Sequence, residues 1–157
     1  MSWFVLKVKA RNEKRVAETL LRMNVEVFSP TIKEVVQWSD RKKENENPLF
    51  KSYVFVKIEE KYRGIVFAVT GVERYLFWMG KPAVVRDAEI EIIKQWMSEG
   101  SNDLESLSKL IPGSEITIEK GVFKDQEAVV HRVDKSKISF LLKEMGVVAQ
   151  ANIAEVV

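Results

Sequence analysis

The sequence predicts an α+β N-terminal domain, with a four-stranded antiparallel sheet flanked by helices, followed by a small all-β barrel. Residues 1–97 alternate between strand patterns and amphipathic helix patterns, whereas residues 112–157 contain only strand and turn patterns. Between them, Glu-Gly-Ser-Asn-Asp at residues 99–103 has the composition of a linker. We therefore place the domains at residues 1–97 and 112–157, joined by a linker at residues 98–111.

The chain begins with a strand pattern and a helix pattern. Residues 3–8 form an apolar run rich in aromatic and β-branched residues, which is typical of a buried strand. Asn12 is a candidate cap for the next segment, in which Val16, Leu20 and Met23 recur at helical spacing. These residues predict an amphipathic helix of about three turns.

The middle of the N-terminal domain predicts a hairpin and a central strand. Residues 25–28 and 32–38 have strand patterns, and the wholly polar residues 39–47 predict an exposed hairpin tip. Residues 50–58 alternate with apolar side chains on both faces, which is typical of a strand at the centre of a sheet.

The rest of this domain completes the order β-α-β-β-α-β-α. Residues 61–69 predict a helix and residues 73–78 a strand. Asp87 is a candidate cap for a last helix, whose apolar side carries Ile90 and Ile93.

The second domain contains short strand patterns separated by turn residues. The predicted strands are residues 115–119, 128–133, 137–142 and 147–153, and a glycine turn follows the first of them at Gly121. So many short strands within so few residues predict a small closed barrel. The preceding linker contains leucines that predict a loosely docked turn.

Composition excludes several functional classes. Hydrophobic residues make up 46% of the chain, which is enough for a folded core. There is no cysteine, and no apolar run approaches the ~20 residues that span a bilayer, so we expect a soluble, intracellular protein. The single histidine, His131, lies in a strand pattern, and no phosphate-binding or dinucleotide motif occurs. We expect no enzyme activity, no cofactor and no metal.

Charge is unevenly distributed along the chain. Residues 1–97 carry a net charge of +5, and residues 98–157 carry −3. A basic first part and an acidic second part indicate different partners for the two domains, although ordinary surface scatter is the alternative.

Several motifs in order resemble the NusG family of transcription elongation factors over nearly the whole chain. They are Trp3-Phe4 before the first strand, Glu13 early in the helix, Pro-Leu-Phe-Lys-Ser-Tyr-Val-Phe-Val at residues 48–56, Gly71-Val72, and a KOW-like unit at residues 113–130. In length and in the sequences of its motifs, the chain resembles the short, specialised RfaH-like antiterminators. The resemblance implies a NusG N-terminal (NGN) domain and an SH3-like KOW barrel.

The chain departs from the family pattern at a few positions. The central strand has Lys51-Ser52 where the family has Pro-Gly, and Val122 replaces a proline in the KOW unit. Asp125 and Ala128 replace glycines; Asp tolerates a positive φ better than Ala does. With these changes we still expect the barrel fold. The resemblance no longer implies that the barrel binds the same partners as in other family members.

The resemblance implies that the N-terminal domain binds the clamp helices of the largest RNA polymerase subunit through an aromatic depression on its sheet. Aromatic anchors of this kind are typical of interface hot spots. The alternative for these aromatic residues is a place in the core. The expected polymerase-binding residues are Phe4, Lys7, Phe50, Tyr53, Phe55, Tyr62 and Arg63.

Basic residues near this face are expected to contact the non-template DNA strand, with a solvated charge run as the alternative. Trp38 beside the hairpin tip is a candidate for stacking on a base. The expected nucleic-acid-binding residues are Arg41, Lys42, Lys43, Lys14, Arg15, Arg22 and Trp38.

The resemblance also implies a partner for the KOW domain, either a small-subunit ribosomal protein or a termination factor. The acidic balance of this domain favours a protein partner that adds a strand over direct RNA binding. We expect a monomer without membrane contact, located in the cytoplasm with bacterial nucleoid-associated transcription complexes. The alternative function is an RNA-binding or ribosome-associated KOW protein.

Overall fold

An antiparallel sheet organises the N-terminal part of the chain. The structure is a computed structural model that describes residues 1–37, 39, 41–99 and 104–156, without the side chains of residues 34–37, 43, 44, 104 and 105. The strands are β1 (Ser2–Val8), β2 (Glu26–Phe28), β3 (Thr31–Gln37), β4 (Lys42–Pro48), β5 (Tyr53–Ile58), β6 (Val72–Tyr75), β7 (Phe77–Trp78), β8 (Lys81–Pro82), β9 (Val84–Val85), β10 (Glu115–Thr117), β11 (Glu127–Val133), β12 (Lys137–Leu142) and β13 (Val147–Asn152). The helices are α1 (Glu13–Arg22), α2 (Asp87–Ser98) and α3 (Leu104–Leu107), with 3-10 helices η1 (Glu60–Ala68) and η2 (Ile153–Glu155).

The N-terminal sheet has the strand order β2-β5-β1-β6, and β9 adds a short pairing to β1. The predicted central position of β5 is confirmed, since it lies between β2 and β1. Val54 and Val56 pack on one face with Val16 and Leu20 of α1. Phe55 packs on the other face, in a cluster that includes α2. Burial on both faces explains why this strand is apolar throughout.

The predicted polar hairpin tip is largely a strand. Residues 39–47 were expected to be an exposed tip, but β4 pairs along the whole of β3, from Thr31 opposite Pro48 to Gln37 opposite Lys42. The β3–β4 hairpin forms a two-stranded sheet of its own. Backbone pairing makes the strand, so polar side chains are compatible with it where neither face needs to bury apolar surface.

One helix prediction holds and one cap prediction needs correction. Residues 61–69 were expected to be helical, and Glu60–Ala68 form the 3-10 helix η1. The cap of α2 is Arg86 rather than Asp87, because the Glu89 carboxylate accepts the Arg86 backbone N–H at 3.1 Å. The carboxylate of Asp87 instead accepts the Trp3 indole N–H at 2.9 Å. Asn12 does occupy the cap position of α1, without a side-chain capping bond.

The C-terminal sheet is an antiparallel meander with the order β10-β11-β12-β13, and its four strands match the predicted ones to within two residues. The Glu119 N–H donates to the Val156 carbonyl at 3.1 Å, which brings the two ends of this unit together. The closed KOW barrel stays a prediction. Asp125 has a φ of 68°, as its replacement of glycine requires, and Ala128 lies in β11 without a positive φ.

The end of the linker is packed rather than loosely docked. Ile111 is buried in the cluster beneath α2, whereas Leu107 and Leu110 belong to the core of the C-terminal sheet. Gly113 has a φ of 90°, and a Cβ there would lie 2.9 Å from the Ala83 Cβ. A glycine is therefore required where the chain passes from the first sheet to the second. Among the described residues, no helix is both long and apolar enough for a membrane span.

A buried carboxylate joins two turns next to β5. Glu13 is 4% exposed, and its Oε1 accepts the backbone N–H groups of Arg11 at 2.9 Å and Ser52 at 3.1 Å. Arg11 and Ser52 both have a φ of 70°. The bonds from Glu13 therefore stabilise two left-handed residues and set the point at which β5 begins.

Replacement of Glu13 by alanine should lower the free energy of unfolding by about 2 kcal/mol, since two part-buried backbone N–H groups lose their acceptor. The matched control is Glu18→Ala on the exposed side of the same helix, which should change it by about 0.5 kcal/mol or less. Urea denaturation of the full chain measures both values. Equal effects for the two variants would contradict the role assigned to Glu13.

Candidate functional site

The aromatic residues expected to form a docking depression are mostly covered. Phe50 and Phe55 are 3% and 0% exposed, and their ring centroids lie 5.1 Å apart in an edge-to-face contact. Ile90 and Ile93 of α2 belong to the same cluster. The alternative stated for these residues, a place in the core, is therefore what the structure shows for Phe50 and Phe55, which α2 covers. Their contribution to binding stays a prediction.

Phe4 lies on the opposite face of the sheet. It pairs with Val56, whereas its neighbour Val5 pairs with Phe55. Directly paired residues share a face and adjacent residues alternate, so Phe4 points toward α1 and Phe55 toward α2. A single depression lined by both residues is therefore excluded by the register.

Tyr53 and Lys7 are the two expected residues that the structure does bring together with access to solvent. They are paired across β1 and β5, and Lys7 also forms an ion pair with Glu73 at 3.6 Å. Tyr53 is half-buried and lines two surface cavities of about 340 and 410 Å³, to which Lys109 also contributes. We call Tyr53, Lys7 and Lys109 the Tyr53 rim.

Arg63 and Tyr75 form a rigid contact beneath η1. The Tyr75 hydroxyl donates to the Arg63 carbonyl at 2.8 Å, and burial raises the pKa of Tyr75 to about 12 although the Arg63 charge opposes the shift. The Arg63 guanidinium lies 5.6 Å from the Tyr75 ring centroid and 5.8 Å from that of Phe4. Arg63 therefore anchors η1 to the face of the sheet that carries Phe4.

The outer side of η1 exposes apolar side chains. Tyr62 and Phe67 are each 52% exposed and Ile65 is 41% exposed; we call these three residues the η1 surface. The Lys61 ammonium lies 5.1 Å from the Tyr62 ring centroid. Tyr62 was among the expected polymerase-binding residues, whereas Phe67 was not, since residues 61–69 were predicted only to form a helix. The short run of apolar residues around Gly64 was the sequence feature from which this exposed apolar surface could have been predicted.

The expected nucleic-acid-binding residues fall on two elements. Lys14, Arg15 and Arg22 are exposed on α1. Arg41 and Lys42 are exposed where β4 begins. Lys43 lies in β4 with its side chain outside the described part, and Trp38 lies outside the described residues altogether, so its stacking role stays a prediction.

Nothing in the described part of the chain resembles a metal centre: no group of three or more His, Cys, Asp or Glu residues is placed to hold an ion. The surfaces described above present aromatic rings and cations. Their chemistry is suited to macromolecular contact.

Comparison with known proteins identifies relatives of this chain. The family described as "Transcription termination factor nusG" matches residues 1–94. The chain is 26% identical over 148 residues to the transcription termination/antitermination protein NusG of Buchnera aphidicola subsp. Acyrthosiphon pisum (strain APS), which covers 86% of this chain and 81% of that protein.

Solved structures show a weaker likeness. One, from a study of domain interaction in Thermotoga maritima NusG, has a TM-score of 0.38 and 19% identity and covers 99% of this chain and 95% of that one. Another, the MjSpt4:Spt5 complex in conformation A, has a TM-score of 0.30 and 15% identity and covers 99% and 96%.

The burial of Phe55 predicts a large effect on stability. Phe55→Ala should lower the free energy of unfolding by about 3–5 kcal/mol, because it opens a cavity between the sheet and α2. The matched control is Phe67→Ala, which removes a half-exposed ring and should cost about 1 kcal/mol or less. Thermal or urea unfolding distinguishes the two, and a small effect at Phe55 would show that this ring is not part of the core.

Proposed function

Because the chain belongs to the NusG family of transcription termination and antitermination factors, we propose that it binds RNA polymerase through its N-terminal part and a second partner through its C-terminal part. The N-terminal NGN domain is residues 1–97, the linker residues 98–111 and the KOW domain residues 112–157. The target of the NGN domain is the clamp helices of the largest polymerase subunit. The observation that carries the proposal is the family match over residues 1–94.

The Tyr53 rim is the proposed polymerase contact. Tyr53 keeps part of its ring accessible beside the cationic Lys7, while Phe50 and Phe55 beneath it hold the strand rigidly. A partly exposed aromatic residue on a rigid base loses little conformational freedom on binding, which is a property of hot spots. The η1 surface, with Tyr62 above the anchoring Arg63, is the second proposed contact.

The cations on α1 and on β4 are proposed to contact the non-template DNA strand. Arg41 and Lys42 are exposed at the end of a hairpin that forms a sheet of its own, so they can reach a ligand without rearrangement of the core. Contacts of this type to phosphates give affinity that depends on salt and little on sequence.

The C-terminal sheet offers an edge for a protein partner. β13 pairs with β12 on one side and ends the strand order, so its other side is an edge of the sheet. Val147 and Val148 of β13 are 50% and 49% exposed. A strand from a ribosomal protein or a termination factor could pair there through backbone bonds and cover these valines. The net charge of −3 in residues 98–157 favours a partner with a basic edge.

Truncation of Tyr53 should weaken polymerase binding. Tyr53→Ala is expected to raise the Kd for a reconstituted elongation complex about tenfold or more, since an anchoring ring is lost, whereas Tyr53→Phe should keep most of the affinity. Val122→Ala, at a side chain that is 92% exposed on the C-terminal part, is the matched surface control.

Fluorescence anisotropy with labelled full-length chain measures these affinities, and unfolding midpoints confirm that each variant is folded. Unchanged affinity of folded Tyr53→Ala would remove the Tyr53 rim from the proposal. Binding of the native chain to ribosomal subunits but not to polymerase would favour the ribosome-associated function instead.

Neutralisation of the hairpin cations should reduce salt sensitivity. With Arg41, Lys42 and Lys43 all changed to Gln, the slope of log binding constant against log salt for a single-stranded oligonucleotide should decrease in magnitude by about 2. The control replaces Lys120, Lys124 and Lys135 of the C-terminal part, which removes the same charge elsewhere and should leave the slope unchanged. Equal slopes for the native chain and the hairpin variant would contradict a contact between the hairpin and phosphates.

A further inference from the structure

A buried carboxylate joins the N-terminal part of the chain to the C-terminal sheet. Glu89 of α2 is 2% exposed, and its Oε2 accepts the backbone N–H of Val133 in β11 at 3.0 Å. Its Oε1 accepts two hydrogen bonds from Arg86, one from the backbone N–H at 3.1 Å and one from the side-chain Nε–H at 2.9 Å. The carboxylate therefore holds one turn of its own helix and one strand of the other sheet at the same time.

Two arginines add further bonds between the N-terminal part and the C-terminal sheet around Glu89. Arg132 of β11 donates to the Val84 carbonyl at 3.2 Å and lies 3.5 Å from the Glu89 carboxylate. Arg86 reaches the carboxylate of Asp134 at 3.5 Å. The pKa of Arg86 is raised, mainly by its hydrogen bond to Glu89, so the guanidinium stays charged. Cations from both sides thus share the two carboxylates.

An aromatic stack lies next to the ionic contacts. The His131 ring of β11 lies flat on the Trp78 indole of β7, with ring centroids 4.1 Å apart and an angle of 6° between the planes. The two rings border a cavity of about 360 Å³ that Lys81 and Pro112 also line. Trp78 and His131 belong to different sheets, so this stack also spans the boundary between the two parts of the chain.

We propose that Glu89, Arg86, Arg132, Trp78 and His131 form a latch that holds the two parts of the chain together while His131 is neutral and releases them when His131 is protonated. The charges around the ring explain the release. Arg132 is its neighbour on β11, Arg86 and Glu89 face it from α2 and its cap, Asp134 follows on β11, and Lys81 of β8 lines the adjoining cavity. A proton on His131 adds a cation to a site whose two carboxylates are already shared between two arginines.

The direction of the pH dependence follows from linkage. Burial lowers the pKa of His131 first, the Arg132 and Arg86 charges lower it further, and Glu89 opposes them. A histidine that is solvent-exposed in the open state would titrate near pH ~6.5. The latched state binds the proton less well than the open state, so its stabilisation is complete above that pH and is lost as the pH falls below it. Each pKa unit of difference corresponds to a tenfold change in the ratio of open to latched molecules.

The absence of cysteine makes a distance measurement straightforward. Glu18→Cys and Glu144→Cys place spin labels on exposed positions of the two parts in an otherwise cysteine-free chain. At about pH 8 the native background should show one narrow distance distribution, and at about pH 5.5 a longer, broader component should grow at its expense. His131→Phe keeps a ring for the stack but cannot be protonated, so it should remain narrow at both pH values.

A second measurement uses the single histidine of the chain. The imidazole C–H resonance of His131 should titrate below the ordinary value of ~6.5 in the full chain and return toward it in Trp78→Ala, in which the stack is lost. Far-UV circular dichroism establishes that each variant is folded. The latch is overturned if the native chain keeps one distance at both pH values, if it is already broad at pH ~8, or if His131→Phe opens at low pH as the native chain does.

Discussion

Burial of β5 on both faces is the constraint on which the rest of the N-terminal structure depends. Because successive side chains alternate, Val54 and Val56 must be covered by α1 while Phe55 must be covered by α2. The sheet is therefore enclosed between two helical layers. This arrangement removes Phe55 from solvent and leaves Tyr53, at the beginning of β5, as the accessible ring of the strand.

The two buried glutamates have different consequences for function. Glu13 satisfies backbone groups at two left-handed turns within the N-terminal part, so it determines where the Tyr53 rim begins. Glu89 has the same chemistry, but one of its backbone donors belongs to the C-terminal sheet. A buried carboxylate without such donors would be costly, which ties each glutamate to the geometry around it. The first thereby acts on the proposed polymerase contact and the second on the arrangement of the two parts.

The proposed contacts of a NusG family member are distributed over separate elements: the Tyr53 rim, the η1 surface, the cations of α1 and β4, and the free edge of β13. Apart from Lys109 of the Tyr53 rim, the first three lie on the basic residues 1–97, and the last lies on the acidic residues 98–157. Under the proposed function, this division allows one chain to hold two partners of different charge at once. The contacts around Glu89 and His131 would then govern how freely the two parts move relative to one another.

The sequence by itself determined the first strand and helix, the central position of β5, the four C-terminal strands and the family, because periodicity and ordered motifs are local properties of the chain. It also allowed the positive φ found at Asp125, because aspartate tolerates this conformation better than most residues that could replace a glycine. Tertiary structure alone decided which face of the sheet each helix covers, and hence that Phe4 and Phe55 lie on opposite sides and that Phe55 is buried. It likewise decided that Glu89 accepts a bond from Val133 and that His131 meets Trp78, because contacts between residues distant in sequence depend on how the elements pack, and no local pattern encodes that packing.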